Sequence, residues 1–270
     1  LPMSKGYIWF CQNTDTVDYV PLSAALAKSI KQHNRDSNIC VITDEHSQFH
    51  SEYVDTVKVL RKDDSVNDQK KFANEYKAFE LSPFTHTIKL EADMLWNSNT
   101  DWWWNYLCQH DLVFALDCLD YKENTVKDTT YRPYHAVNFL PNIYNGMTYF
   151  RKSTTAKKFF DTCRTITEHW SYVKEHILKK CFDEYPTTDV VYALAYRLLD
   201  PTSETLIDYP WFKFIHNKPA IHQMRYNYNP LNYYYPMQSD EAVYFGGKRL
   251  LAPLHYFYKN FLEVLNVRVF

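Results

Sequence analysis

The residues best suited to chemistry are Glu91 and Asp93, in the run Lys89-Leu90-Glu91-Ala92-Asp93. Carboxylates spaced two apart, directly after an apolar run, put negative charge where burial is costly. A divalent cation offsets that cost, because Mg²⁺ or Mn²⁺ takes hard oxygen ligands and bridges carboxylates to nucleotide phosphates. An exposed acidic turn is the competing reading. The most biased segment is Arg225-Tyr226-Asn227-Tyr228-Asn229-Pro230 with Asn232-Tyr233-Tyr234-Tyr235-Pro236. It reads as a packed loop, as a platform for a sugar acceptor, or as a surface on which unpaired bases stack. The basic pairs Lys70-Lys71, Lys157-Lys158, Lys179-Lys180 and Lys248-Arg249 could neutralise phosphates, or could be solvated helix faces.

Composition limits the chemistry further. The chain of 270 residues carries 23 Tyr, 17 Phe and 7 Trp but only 4 Gly. That aromatic content argues against disorder. There is no G-x-G-x-x-G and no G-x-x-x-x-G-K-[ST], which excludes glycine-loop dinucleotide and P-loop binding. A net charge of −2 gives no whole-protein basic field for a polyanion. The 6 Cys are scattered without metal-finger spacing and read as reduced thiols of a cytoplasmic protein. No apolar run reaches the roughly 20 residues of a membrane span, so no membrane insertion is expected. Leu1-Pro2 reads as an expression scar before Met3, and the Lys-, Asn- and Tyr-rich usage suits an AT-rich genome, such as a viral one acting in its host's cytoplasm.

These residues need elements to position them. Tyr7–Cys11, Ile39–Ile42, Val57–Leu60 and Thr87–Leu90 read as strands, the first two as continuous apolar runs buried on both faces. Pro21 opens a helix reaching about His33, and Phe72, Tyr76 and Phe79 mark another that stops at Ser82-Pro83. Strands alternating with helices predict a mainly parallel sheet flanked by helices, an α/β fold in which ligands sit outside the C-terminal strand ends. Gln12-Asn13-Thr14, Thr43-Asp44 and Glu91-Ala92-Asp93 should therefore face one crevice. Further on, Val113–Leu116 and Thr148–Phe150 read as strands. Phe159, Cys163, Ile166 and Trp170 mark one helix, and Val190–Leu199 reads as another. No repeat or linker divides the chain, so one domain is expected, with residues 3–110 as a nucleotide-binding half and 111–270 as an acceptor-binding half.

In this order the motifs resemble nucleotide-sugar glycosyltransferases of GT-A architecture, in particular the retaining family 8 that includes glycogenin and bacterial galactosyltransferases. The D-x-D motif of that family is matched by Glu91-Ala92-Asp93, and its upstream Lys by Lys77. Its N-x-G segment is similar to Tyr144-Asn145-Gly146-Met147, and its D-Q-D segment to Thr188-Asp189-Val190. Its C-terminal His-plus-Lys pair is matched by His255 and Lys259. The chain departs in carrying Glu91 for the first Asp, in the shortened H-x-x-x-K, and in Thr187-Thr188 for Asp-Gln.

The resemblance implies a Rossmann-like GT-A domain that moves a sugar from a nucleotide diphosphate sugar, a UDP-sugar in this reading, to a hydroxyl with retention. It implies Asp93 and His255, with Glu91 close by, as ligands of Mn²⁺ or Mg²⁺, and Lys259 and Lys77 as phosphate donors. It implies Asn13, Thr14, Tyr19 and Asp44 at the nucleotide, and Asn145, Gly146 and Asp189 at the sugar. Asp189 is the candidate nucleophile if the reaction is a double displacement; front-face attack needs none. As a helix N-cap, Asp189 has a purely structural alternative, and His255 has one as a core histidine. Arg225, Tyr226, Tyr228 and Tyr233 are the expected acceptor residues. The acceptor is a saccharide or, alternatively, a hydroxymethylated base of phage DNA. A silent sugar- or nucleotide-binding module of the same fold is the non-enzymatic reading. A sugar-1-phosphate nucleotidyltransferase ranks lower, since that class relies on a glycine-rich loop.

Overall fold

The computed structural model describes residues 4–65, 71–221, 234–235 and 242–265. The expected acceptor residues Arg225, Tyr226, Tyr228 and Tyr233 lie outside them.

Four strands open the chain: β1 (Lys5–Cys11), β2 (Asn38–Thr43), β3 (Thr56–Val59) and β4 (His86–Leu90). Next come β5 (Met94–Leu95), β6 (Leu112–Leu116), β7 (Cys118–Leu119), β8 (Thr125–Val126) and β9 (Ile143–Arg151). The last are β10 (Ile215–Asn217), β11 (Tyr234–Tyr235), β12 (Tyr244–Phe245), β13 (Lys248–Arg249) and β14 (Leu254–Tyr256). The main sheet has six strands in the order β3-β2-β1-β4-β9-β6. Its first four strands are parallel, as alternating strands and helices predict. The apolar runs of β1, β2 and β4 are buried on both faces.

The main sheet is mainly parallel, as expected, and β9 is its antiparallel member. This strand has nine residues where three were expected, and it runs antiparallel to both β4 and β6. The sheet is therefore mixed. A smaller five-stranded sheet, β5-β14-β10-β7-β8, and a three-stranded one, β11-β12-β13, were not anticipated. Their strands are two or three residues long, too short for a period of two to show in sequence.

The first helix, α1 (Val20–His33), has Pro in its first turn and buries Leu22, Leu26 and Ile30. The expected helix around Phe72–Phe79 is mostly a 3₁₀ turn, Lys71–Lys77, followed by α2 (Ala78–Leu81). It ends at extended Ser82, before Pro83, as a residue preceding proline requires. A short helix α3 (Trp104–Leu107) and α4 (Pro133–Asn138) come next. The single helix expected from Phe159 to Trp170 is two. In α5 (Thr154–Glu168), Ser153 accepts the Ala156 N–H as N-cap; His169 leaves helical geometry, and α6 (Trp170–His176) follows. Helix α7 (Thr188–Leu199) matches its expected span, and α8 (Phe261–Val264) closes the described chain.

One apolar cluster packs Tyr7, Trp9, Trp96 and Tyr149 under α1; a second packs Phe114, Phe150, Phe159 and Tyr192 under α5 and α7. Much of the aromatic excess is thus core. All six cysteines are free thiols, and burial pushes Cys40 up to about 11. Among the described residues, no helix is long and apolar enough to cross a membrane.

Candidate functional site

Pairing of short segments assembles the site at the C-terminal end of β4. Leu90 faces Met147 across the β4–β9 ladder, so Asn145 and Gly146 run past Glu91. On the other side, β14 pairs antiparallel with β5, and the Tyr256 N–H donates to the Asp93 carbonyl at 3.1 Å. That bond fixes His255 over the acidic pair. Residues separated by more than 160 positions meet because β5 leaves the main sheet immediately after Asp93 and joins the smaller one.

His255 Nε2 lies 3.2 Å from Glu91 Oε2 and 3.2 Å from Asp93 Oδ1, and the three donor atoms fall within 4.8 Å of one another. Lys259 Nζ is bonded to Asp93 Oδ2 and sits 5.7 Å from the Tyr19 ring centroid. Burial opposes every charge here, yet mutual attraction decides most of the protonation states. Burial tends to raise Asp93, but the charges of His255 and Lys259 hold its carboxyl well below the usual range. Burial tends to lower His255, but Asp93 and Glu91 raise it, favouring imidazolium. Lys259 is raised by Asp93 against the opposing effect of burial. Of the two carboxyls, only Glu91 is pushed up, by burial first and by Asp93 among its neighbours, with His255 working against both.

Two carboxylates and an imidazole within reach of one another form a donor set that Mn²⁺ and Mg²⁺ accept. The cluster calls for positive charge: here the imidazolium of His255 and the ammonium of Lys259 supply it.

The cluster opens into a cavity of about 400 Å³. Thr14, Tyr19, Gly146, Asp189, His255 and Lys259, all expected from the sequence, share its wall with Glu91 and Asp93. Gly146 is required by close approach, since a Cβ there would come 2.8 Å from the Phe214 ring. The other expected residues are held elsewhere. Asn13 accepts the Tyr19 N–H at 2.7 Å and donates its own N–H to Ser47 Oγ, bracing the loop behind the wall. Asp44 is buried beneath that loop, accepting from Gln12 Nε2 at 3.1 Å and from the Ser47 N–H at 2.7 Å. Lys77 pairs with Asp64 at 2.9 Å and donates to the Lys62 carbonyl, so its ammonium is committed away from the cavity.

Asp189 is not a helix N-cap; Thr187 holds that position and Asp189 sits in the first turn of α7. Its Oδ1 accepts the Asn145 N–H at 2.7 Å, and its Oδ2 pairs with Arg132 at 2.9 Å. Asn145 is fully buried and links three groups. Its backbone N–H holds Asp189, its Oδ1 accepts from Lys89 Nζ at 2.9 Å, and its Nδ2 lies 3.5 Å from Glu91 Oε1.

Four participants were missed in the sequence. Lys89 is fully buried inside β4 and pairs with Glu75 on the cavity wall. A lysine within a buried strand, two residues before the acidic pair, was the available signal. Glu75, Arg132 and His216 carry none, since only tertiary pairing brings them here. The His216 ring stacks on His255 with centroids 4.6 Å apart and planes at 3°. Burial and the adjacent His255 keep it well below the ordinary imidazole range, so the His255 charge rests on a neutral ring.

Comparison with known protein families finds no matching family for this chain, and comparison with curated proteins finds no match.

Proposed function

We propose that this protein is a metal-dependent glycosyltransferase of GT-A type that uses a nucleotide diphosphate sugar, a UDP-sugar in the simplest form, and transfers it to a hydroxyl with retention. The observation that carries the reading is the Glu91–Asp93–His255 cluster at the end of a buried strand, opening into a cavity of about 400 Å³. The strand order supports it, since a parallel set followed by one antiparallel strand brings the Asn145-Gly146 stretch of β9 against the acidic pair.

Glu91, Asp93 and His255 would hold Mn²⁺ or Mg²⁺, whose chemistry at such a site is neutralisation of a departing diphosphate. Lys259, already at Asp93, is the protein's own phosphate donor. Asp189, on the cavity wall, would face the sugar, with Asn145 buried behind it. Arg132 and the Asn145 N–H hold the Asp189 carboxylate in place, where it would face positive charge building at the anomeric carbon. The bond from that carbon to the phosphate oxygen breaks with its electron pair leaving on the diphosphate, one to the acceptor oxygen forms, and the acceptor's hydroxyl proton passes to the departing diphosphate. A cytoplasmic setting belongs to the same reading and rests on the free thiols.

A donor-hydrolysis screen across nucleotide sugars with Mn²⁺ tests the proposal. At least one donor should be hydrolysed, with the activity removed by chelation. Tight nucleotide binding without turnover of any donor would favour a silent binding module.

A further inference from the structure

A second cavity, of about 670 Å³, adjoins the first. Phe72 lines both, and a small pocket of about 10 Å³ lined by Glu75, Tyr76, Pro186 and Thr188 shares wall residues with each. The far cavity lies between the 3₁₀ turn, the α5–α6 junction and the segment leading into α7.

Its wall combines two chemistries. The rings of Tyr76, Trp170, Tyr172 and Tyr185 line it, and Tyr172 is 60% exposed. The carboxylates of Glu168 and Glu184 stand on the same wall. Lys62 on that wall shares the Asp64 carboxylate with Lys77, which leaves one positive charge there against the two carboxylates of Glu168 and Glu184. Flat rings offer apolar faces to the C–H face of a pyranose, while carboxylates accept hydrogen bonds from its hydroxyls. The same carboxylates repel a phosphodiester backbone, which binds by phosphate neutralisation.

We infer that this groove binds a neutral oligosaccharide whose end reaches the metal-site cavity at Phe72, making it the acceptor site. The inference rests on the glycosyltransferase reading for the word acceptor, but the binding itself does not. It also moves the acceptor platform from the 226–235 segment to α6 and the approach to α7.

Isothermal titration of the full chain with maltohexaose, cellohexaose and chitohexaose tests it, with duplex DNA carrying hydroxymethylcytosine as a fourth probe. At least one hexasaccharide should bind with a Kd below about 1 mM. Tyr172→Ala and Tyr185→Ala should each weaken that binding about tenfold or more. Trp102→Ala, in a separate exposed aromatic cluster, should bind like the parent. The inference is overturned if no hexasaccharide binds, if both tyrosine variants bind as tightly as the parent, or if the DNA alone binds. A parallel titration of the unmutated chain with UDP and Mn²⁺ reads the donor cavity separately. Hexasaccharide binding without UDP binding would support the groove and contradict the glycosyltransferase reading, and the converse would overturn the groove alone.

Discussion

Asp189 shows how tertiary contacts decide between two readings that a sequence leaves level. Both of its oxygens are engaged, one by a backbone N–H and one by Arg132. Neither contact is the self-capping bond that its place near a helix start suggests. Asp189→Asn preserves shape but presents an amide to Arg132 and removes the charge. Donor hydrolysis should fall on the order of 100-fold or more, with UDP affinity nearly unchanged, a pattern that marks an interaction made in the transition state. Near-normal turnover would end any nucleophilic role. Lys89 is the other residue with a sharp expectation. Lys89→Met leaves the Glu75 carboxylate without its buried partner, and the chain should lose roughly 3–5 kcal/mol in urea unfolding. The double variant Lys89→Met/Glu75→Gln should recover most of that loss; failure to recover would mean the pair is not what Lys89 serves. At this scale the acid-x-acid pair was legible because charge beside a buried run is conspicuous. Glu75 and Arg132 were not, because nothing local distinguishes them from solvated charges.

Among the elements, strand existence was readable and strand partnership was not. Continuous apolar runs announced β1 and β2. The antiparallel insertion of β9 between β4 and β6 is set by long-range pairing, and an apolar strand reads alike in either direction. That pairing is what carries Asn145 and Gly146 to Glu91. The 3₁₀ turn is clasped by another arrangement not visible in sequence. Burial tends to raise Asp64, but hydrogen bonds from Tyr76 and from Lys77 and Lys62 bring it down to about 2. A folded value below the unfolded one near 4 stabilises the protein above that pH, and the gain is lost as pH falls from about 4 toward 2. After solvent screening the effect is about 1 kcal/mol. Asp64→Asn should flatten the acid limb of a stability-versus-pH curve over that window; an unchanged limb would show that the clasp does not form. Lys77, expected at the donor phosphates, belongs to this clasp.

Over the whole molecule, scarcity of glycine and excess of tyrosine turn out to have separate explanations. With few backbone cradles available, the proposed phosphate binding would fall to side chains, and Asp93, His255 and Lys259 do converge from elements more than 160 residues apart. The aromatic rings pack largely in two cores flanking the main sheet and a third cluster with Tyr256 and Phe261, with a separate group around Trp102 and another lining the second cavity. The α/β class followed from alternation, and the polar ends of β1 and β4 meet at one crevice as expected, whereas Thr43-Asp44 does not line it. The smaller sheet that brings His255 to the crevice did not, because its strands are too short to leave a pattern. The central claim is that this convergence holds a divalent cation, which in turn holds a nucleotide diphosphate. Isothermal titration with UDP, in the presence and absence of Mn²⁺, tests it most directly on the unmutated chain and on Asp93→Asn. The account predicts UDP binding that needs Mn²⁺ and weakens on the order of 100-fold in the variant. UDP binding that is indifferent to the metal and to Asp93, or no UDP binding at all, would contradict it.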